Sequence, residues 1–133
     1  MKTFHQSGKR KNAIARATAT PGTGKVRVNN IYLENIEPEI RRLKIQEPLI
    51  IGEKFSSKLD FNVRVCGGGV SSQTDATRLA IARTLVEASK SDALKKEFLK
   101  YDRHLLVADV RRKESSKPNS HSKARAKRQK SYR

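Results

Sequence analysis

The side chains best suited to chemistry in this sequence are its basic ones. Thirty Lys and Arg stand against 13 Asp and Glu, which gives a formal net charge of +17. Guanidinium and ammonium groups at this density are suited to binding phosphate oxygens. A nucleic acid is therefore the predicted partner, and an anionic membrane surface is the second possibility. Aromatic residues make up only 5% of the chain, so contacts to phosphates should dominate over stacking on bases.

Two stretches hold the basic residues that we expect to contact nucleic acid. The first consists of Lys9, Arg10, Lys11 and Arg16. The second consists of Arg111, Arg112, Lys113, Lys117, Lys123, Arg125, Lys127, Arg128, Lys130 and Arg133. Residues 111–133 include one acidic residue, Glu114, and therefore hold +9 of the total charge. Their few apolar side chains cannot build a core. We predict a globular domain over residues 1–110 and an extended basic tail over residues 111–133.

Two glycine-containing segments resemble phosphate-binding loops. Residues 22–25 read Gly-Thr-Gly-Lys, but the first Gly of a Walker A loop is missing and Val26 stands where that loop needs Ser or Thr, so a hairpin turn with an exposed lysine is favoured. Residues 67–69 are three glycines before a predicted helix, where backbone N–H groups could attract phosphate. Ser72 replaces the third Gly of the dinucleotide-binding pattern. A tight structural turn is favoured there, and a phosphate of bound RNA remains the alternative.

No catalytic or metal site is predicted. His5, His104 and His121 are scattered and have no partner at a useful spacing. Cys66 is the only cysteine, which excludes an internal disulfide, and its place at the end of a predicted strand indicates a core position. We therefore expect no enzyme, no metal, no cofactor and no small-molecule substrate. No apolar run reaches the roughly 18 residues of a membrane span, and the N-terminus lacks a secretory signal, so no membrane partner is expected.

The first half of the chain predicts strands and one short helix. Residues 13–20 and 26–33 are predicted to form a hairpin around the turn at residues 21–25. A helix is predicted from Pro38 to about Ile45, with Pro48 ending it. Residues 49–51 could extend that helix or begin a buried segment. Alternating apolar residues predict a third strand over residues 61–66.

The second half predicts mainly helices. Ser72 and Asp75 have the spacing of a capping box and predict a helix over residues 72–89, whose small and apolar faces suit packing on a sheet. A second helix is predicted over residues 92–100, and the apolar residues 105–110 predict a last strand. Together these elements predict one small domain of the α+β class.

Four stretches of the sequence carry a resemblance to a known family. They read SGKRKNAIARATATPGTGKVRVNN, IEPEIRRLKIQEPLI, VCGGGVSSQTDATRLAIARTLVE and KARAKRQKSYR. In this order they resemble the universal small-subunit ribosomal protein number nine. The QKSYR ending resembles the archaeal and eukaryotic branch of this family. The short chain and the lack of a Gly-Pro-Gly insert in the tail favour the archaeal side of that branch. The likeness covers nearly the whole chain.

This resemblance implies a fold, a location and a second ligand. The implied fold is a mixed sheet with helices on one face and a left-handed β-α-β crossover. The implied location is the head of the small subunit in the cytoplasmic ribosome, on the 3′ domain of its rRNA and beside neighbouring ribosomal proteins. The tail would reach the peptidyl site, where the matching residues would contact the anticodon stem-loop of the tRNA. Those residues are Lys130, Ser131, Tyr132 and Arg133.

A DNA-architectural protein with a basic arm is the main alternative. Such a protein would need a recognition helix with polar side chains on an exposed face. The strongest predicted helix, residues 72–89, is rich in Ala, Leu and Ile, and is expected to be buried. The sequence therefore favours a structural RNA-binding protein over a DNA reader.

Overall fold

A five-stranded sheet with helices packed on it forms the body of the protein. The computed structural model describes residues 2–118, 123–125 and 132. The strands are β1 Phe4–Arg10, β2 Ala13–Pro21, β3 Val26–Val28, β4 Ile31–Tyr32 and β5 Leu59–Cys66. The helices are α1 Glu39–Ile51, α2 Glu53–Ser56, α3 Val70–Ser89 and α4 Asp92–Tyr101, with 3-10 turns at Leu33–Asn35 and Arg103–Leu105. The predicted α+β class and single small domain are confirmed.

Strand β5 lies at the centre of a mixed sheet with the order β1-β2-β5-β3-β4. The β1–β2, β2–β5 and β3–β4 pairs are antiparallel, whereas β3 and β5 run parallel. Parallel neighbours need a long crossover, and α1 and α2 supply it here. This is a β-α-β unit of the kind that the family resemblance implies, and its left hand remains a prediction.

The two faces of the sheet differ sharply in chemistry. The buried face carries Ala13, Ala15, Ala17, Ala19, Leu59, Phe61, Val63 and Val65. Side chains alternate between faces along a strand, so the intervening residues share the opposite side, which we call the open face. From the strand register, the open face carries His5, Ser7, Lys9, Ile14, Arg16, Thr18, Thr20, Arg27, Asp60, Asn62, Arg64 and Cys66. Apolar burial on one side therefore leaves the other side to polar and charged groups.

Helix α3 covers the buried face and contacts β1, β2 and β5, while α1, α2 and α4 contact α3 in turn. Its approach to β1 is close because small residues meet there. A Cβ on Gly8 would lie 2.3 Å from the carbonyl oxygen of Ala76 and 2.8 Å from the amide nitrogen of Ala80. Any larger side chain at Gly8 would therefore push the helix away from the edge of the sheet.

Arg78 fastens three elements together. Its guanidinium contacts Glu47 of α1 and donates to the Asp102 carboxylate, which follows α4, at 2.8 Å. The Arg78 side chain is only 15% exposed. Burial would raise the pKa of Asp102, but hydrogen bonds from the His104 amide and from Arg78 outweigh it and lower that pKa. The ion pairs fix the chain at the start of the segment that leads into the tail.

The predicted hairpin between residues 13–20 and 26–33 is wrong in its pairing. Strand β5 lies between β2 and β3, so these two strands are not neighbours. The second predicted strand is also divided, because Asn29 and Asn30 have φ of 48° and 67° and form a tight turn between β3 and β4. Asparagine tolerates this left-handed backbone and favours two-residue hairpin turns. Strand β2 instead forms its hairpin with β1, a strand that the polar sequence FHQSGKR did not predict.

Helix α1 continues to Ile51, so the prediction that Pro48 ends it is wrong. A proline inside a helix forfeits one backbone hydrogen bond. Pro48 and Ile45 are both buried, and the Pro48 carbonyl still accepts the Gly52 N–H at 3.1 Å. Burial of the inner face of α1 outweighs the missing bond, and residues 49–51 extend the helix.

Helix α3 begins at Val70 and ends at Ser89, where it was predicted to end. The predicted capping box is wrong, because the cap is Gly69 without a side-chain hydrogen bond and Asp75 instead pairs with Lys44 at 3.4 Å. Asp75 therefore links α3 to α1 and does not cap α3. Helix α4 matches its prediction closely, with the Ser91 hydroxyl accepting the Leu94 N–H.

The predicted strand over residues 105–110 is absent from the part of the chain that the structure describes. Leu105 closes a 3-10 turn, and the residues after it have no regular structure. Arg83 of α3 hydrogen-bonds to this segment and to β1 instead. Its Nε donates to the Leu106 carbonyl at 3.0 Å, and its guanidinium donates to the Ser7 carbonyl at 2.9 Å. Cys66, predicted in the core, is exposed on the open face.

We predict that Gly8→Val destabilises the fold by about 2 kcal/mol or more, because forcing extra atoms into a packed contact typically costs 1–3 kcal/mol. Urea denaturation measures the change. Gly69→Ala is the matched control, since a Cβ there meets nothing within 4 Å, and we expect a loss below about 1 kcal/mol. Equal losses for both variants would contradict the close approach of β1 and α3.

Candidate nucleic-acid interface

The first basic stretch is divided between the two faces of the sheet. Lys9 and Arg16 lie on the open face and are exposed. Arg10 is turned to the other side and pairs with Asp109 at 3.3 Å, leaving its side chain 17% exposed. Lys11 occupies the tip of the β1–β2 hairpin with φ of 52°. Lys9, Lys11 and Arg16 are therefore presented to solvent, whereas the charge of Arg10 is largely neutralised within the fold.

The glycine turn at residues 67–69 packs against that hairpin tip. Gly67 and Gly68 have φ of 74° and 65°, in the region that favours glycine. A Cβ on Gly67 would lie 2.5 Å from the Asn12 carbonyl oxygen, and one on Gly68 2.9 Å from the Ala13 nitrogen. Close backbone approach thus requires the first two glycines, which supports the structural interpretation of this turn.

The turn at residues 22–25 has its backbone donors occupied. The Asp60 carboxylate accepts the N–H groups of Thr23 and Lys25 at 2.8 and 2.9 Å. These bonds, with that from Lys25 largest, lower the pKa of Asp60. A phosphate would have to displace a carboxylate that already fills this position. The exposed lysine that the sequence predicted here is present, but the backbone N–H groups of the turn already donate to Asp60 and are not available to a phosphate.

The root of the tail is held by Asp109. Its carboxylate accepts three hydrogen bonds from the Arg111 side chain, at 3.1, 3.0 and 2.7 Å, and contacts Arg10 of β1. The side-chain and backbone hydrogen bonds from Arg111, together with the charge of Arg10, lower the pKa of Asp109. Arg112 donates to the carbonyls of Asp109 and Arg111. The tail therefore departs from a fixed point beside β1, on the helix side of the sheet.

Farther along, the tail makes contacts with itself. The guanidinium of Arg125 binds Glu114 with two hydrogen bonds of 2.9 and 2.5 Å, which lower the pKa of Glu114 and raise that of Arg125. The Lys117 N–H donates to the Lys123 carbonyl at 3.2 Å. The only acidic residue of the tail is thus paired within the tail, while Lys113 and Lys117 are exposed.

Several predicted ligands lie outside the described residues: Lys127, Arg128, Lys130, Ser131 and Arg133. Tyr132 is described and is 87% exposed. No group of three His, Cys, Asp or Glu that could hold a metal ion occurs in the part of the chain that the structure describes. Among the same residues, no helix is long and apolar enough to cross a membrane.

Sequence reasoning missed three side chains on the open face, His5, Arg27 and Arg64. The alternation of β5 already placed Arg64 on a polar side. What the sequence did not provide was the pairing of β2 with β5, which sets Arg64 directly opposite Arg16. These two arginines form the densest positive charge on the open face.

Comparison with known proteins gives a consistent result. The family model described as "Ribosomal protein S9/S16" matches residues 8–133. The chain is 51% identical to "Small ribosomal subunit protein uS9" of Methanococcus maripaludis strain C7 and 49% identical to that of Methanococcus vannielii, each over 134 residues. It is 50% identical to the protein of the same name from Methanothrix thermoacetophila over 133 residues. Each alignment covers all of both chains.

We predict that Asp109→Asn loosens the root of the tail, because Arg10 and Arg111 lose their shared carboxylate. Backbone amides of residues 106–112 should then exchange with solvent faster, as measured by hydrogen exchange. The same loosening should occur in the wild type on acidification. Because the fold lowers the pKa of Asp109, its carboxylate stabilises the root fully at pH values above about 4, the ordinary pKa of an aspartate. This stabilisation is lost as the pH falls from there through the lower pKa of the folded state. Glu97→Gln, on the exposed side of α4, should leave this segment unchanged; unaltered exchange in Asp109→Asn would contradict the assignment.

Proposed function

The chain belongs to the ribosomal protein S9/S16 family, and on that premise we propose that its folded part binds rRNA of the subunit head while its tail reaches the P-site tRNA. As a member of this family it is a structural, RNA-binding component of the small subunit in the cytoplasmic ribosome, and not an enzyme. The proposal assigns the first role to residues 1–110 and to most of the tail, and the second role to the last residues of the tail.

The observation that carries the rRNA assignment is the uneven placement of charge. Residues 111–133 hold +9, and their root is tied to β1 through Asp109. A fixed root with a strongly basic continuation can follow a phosphate backbone without building a core of its own. The proposed ligands of the 3′-domain rRNA are Lys9, Arg10, Lys11, Arg16, Arg111, Arg112, Lys113, Lys117, Lys123, Arg125, Lys127 and Arg128.

Two of these ligands, Arg111 and Arg125, must exchange partners to bind RNA. Arg111 shares Asp109 with Arg10, and Arg125 pairs with Glu114. The side chains of Arg111 and Arg125 are 79% and 86% exposed, so solvent screens both pairs and a phosphate can compete for them. Arg10 is far less exposed, and its main contribution is to hold the tail root in place.

The tRNA assignment is given to Lys130, Ser131, Tyr132 and Arg133. Arginine offers a planar fork and lysine a point charge to phosphate oxygens, whereas the hydroxyl and the ring can bond or pack on a ribose. Tyr132 is exposed and available for such a contact. Contacts to phosphate do not depend on the base sequence, and this suits a site that must accept every tRNA.

The burial of α3 weighs against the DNA-architectural alternative. Nine of its residues are buried, including Leu79, Ile81 and Leu85, so it cannot enter a groove with an exposed polar face. Neighbouring ribosomal proteins of the subunit head are the further partners that this proposal implies.

We predict that deleting residues 131–133 leaves assembly of the subunit largely intact but weakens P-site tRNA binding, because the deletion removes tRNA contacts and few rRNA contacts. Sedimentation measures assembly, and filter binding of tRNA to the reconstituted subunit measures affinity. Lys95→Ala with Lys96→Ala, which removes two exposed charges from α4, is the control and should affect neither. Loss of assembly on deletion would assign the segment to rRNA folding instead.

A second prediction concerns salt. If the tail neutralises about six phosphates, the logarithm of the affinity for a head-domain rRNA fragment should fall against the logarithm of salt concentration with a slope of about −4 to −5. Filter binding of the full chain across a salt series measures this slope. A flat dependence would remove the electrostatic account, and equal affinity for duplex DNA at matched salt would remove the specificity for rRNA.

A further inference from the structure

We propose that the open face of the sheet is a second RNA-backbone site, centred on Arg16 and Arg64 and separate from the tail. This inference rests on the proposed rRNA binding, which already includes Lys9 and Arg16, and deepens it by joining Arg64 and Arg27 to them on one surface. Its ligand is the sugar–phosphate backbone of rRNA.

The open face carries a cross-strand pairing of two like charges, which is unfavourable for the sheet. The register of β2 and β5 places Arg16 directly opposite Arg64. Like charges directly opposite on neighbouring strands destabilise a sheet, and an opposite-charge pair in the same place would stabilise it. Both arginines are exposed, and neither has a hydrogen bond or ion pair within the described part of the chain. A bound anion between the two guanidinium groups would turn the repulsion into attraction.

Further basic side chains surround this pair. Lys9 and Arg27 lie on the same face, and Arg27 is held at 4.6 Å over the ring of Tyr32 while donating to its hydroxyl. The one carboxylate on the face is Asp60, and its oxygen already accepts backbone N–H groups of the neighbouring turn. Among the residues described, the open face therefore presents four cations against this one carboxylate, and its net charge stays positive.

The shape and polarity of the open face also suit an RNA backbone. A shallow depression on the open face is lined chiefly by His5, Ile14, Arg16, Thr18, Asn62 and Arg64. His5 and Thr18 are joined by a hydrogen bond of 2.9 Å, which orders the rim on the β1 side. The Asn62 amide can both donate and accept, as recognition of a ribose 2′-hydroxyl requires.

The chemistry of the face favours a backbone over bases. Sheet surfaces that read RNA bases stack them on aromatic side chains of the central strands. The open-face positions of β2 and β5 carry no aromatic residue; they are Ile14, Arg16, Thr18, Thr20, Asp60, Asn62, Arg64 and Cys66. Contacts to phosphate and ribose are therefore the mode that these side chains support, with little dependence on base sequence.

The open face and the tail root lie on different sides of the sheet. Arg10, which holds the root through Asp109, projects to the helix side, whereas the neighbouring Lys9 projects to the open face. Two contacts on one RNA from a single rigid domain act together, because binding at one raises the effective concentration at the other. The sheet would thus fix the domain on the rRNA while the tail extends from it.

The main test replaces both arginines in the full chain, as Arg16→Thr with Arg64→Thr, and measures filter binding to the head-domain rRNA fragment over a salt series. Removing one cation that binds a phosphate reduces the steepness of the salt slope by about 1, so we expect a reduction of about 2. Counterion release from two phosphates corresponds to a loss of roughly 25- to 60-fold at 0.1 M salt. The midpoint temperature of thermal unfolding should be unchanged or slightly higher in the variant, because a like-charge pair is removed.

Two matched variants separate this inference from the proposed function. Lys95→Ala with Lys96→Ala removes two charges remote from the open face and should leave the slope nearly unchanged. Lys117→Ala with Lys123→Ala removes two tail charges and should reduce it by about 2. If only the tail variant weakens binding, the open-face site is overturned and the tail's contact with rRNA, as the proposed function assigns it, stands. If neither weakens binding, both fail.

A measurement on the unaltered protein keeps the test decisive should the double variant not fold. Cys66 is the only thiol, is exposed on the open face and stands opposite Ile14, beside the Arg16–Arg64 pair. Saturating rRNA fragment should slow alkylation of Cys66 by iodoacetamide. Unchanged alkylation would overturn the site. Protection that appears only when another ribosomal protein is added, with no effect of RNA alone, would also overturn it and assign the face to a protein partner.

Discussion

The packing of α3 on an alanine-lined sheet face is the constraint on which the rest of the structure depends. Gly8 and the alanines of β2 let the helix approach until a single added Cβ would meet its backbone. One helix layer then completes the core, since the other helices pack on α3. The opposite face of the sheet needs no apolar residue, and it is available for charge.

The acidic residues of the folded part serve mainly as internal fastenings. Asp60 closes a turn, Asp102 binds Arg78 at the junction of three helices, and Asp109 ties the start of the tail to β1. Cations that have such partners shape the fold. Cations without such partners, such as Arg16 and Arg64, are the ones that we propose bind RNA phosphates. This division would let a chain of net charge +17 be ordered and still bind a polyanion.

Much of the fold could be predicted from the sequence, because β5, α3 and α4 have clear periodicity or caps. The errors arose where tertiary contacts override local signals. Pro48 stays inside a helix because its surroundings bury it, and the Leu106 carbonyl in the predicted last strand accepts a hydrogen bond from Arg83 instead of from a neighbouring strand. The pairing of β2 with β5 joins distant parts of the chain, so local patterns do not reveal that Arg16 faces Arg64. The basic tail was evident from composition, whereas its fixed root at Asp109 required the structure.

The central claim is that this protein binds RNA by two positively charged surfaces, the tail and the open face of the sheet. The most direct measurement is an experimental structure of the small ribosomal subunit containing this chain with a tRNA in the P site. The account predicts rRNA phosphate oxygens within hydrogen-bonding distance of the guanidinium groups of Arg16 and Arg64, and the end of the tail against the tRNA anticodon stem-loop. An open face covered by protein or solvent, with the tail directed away from the P site, would contradict it.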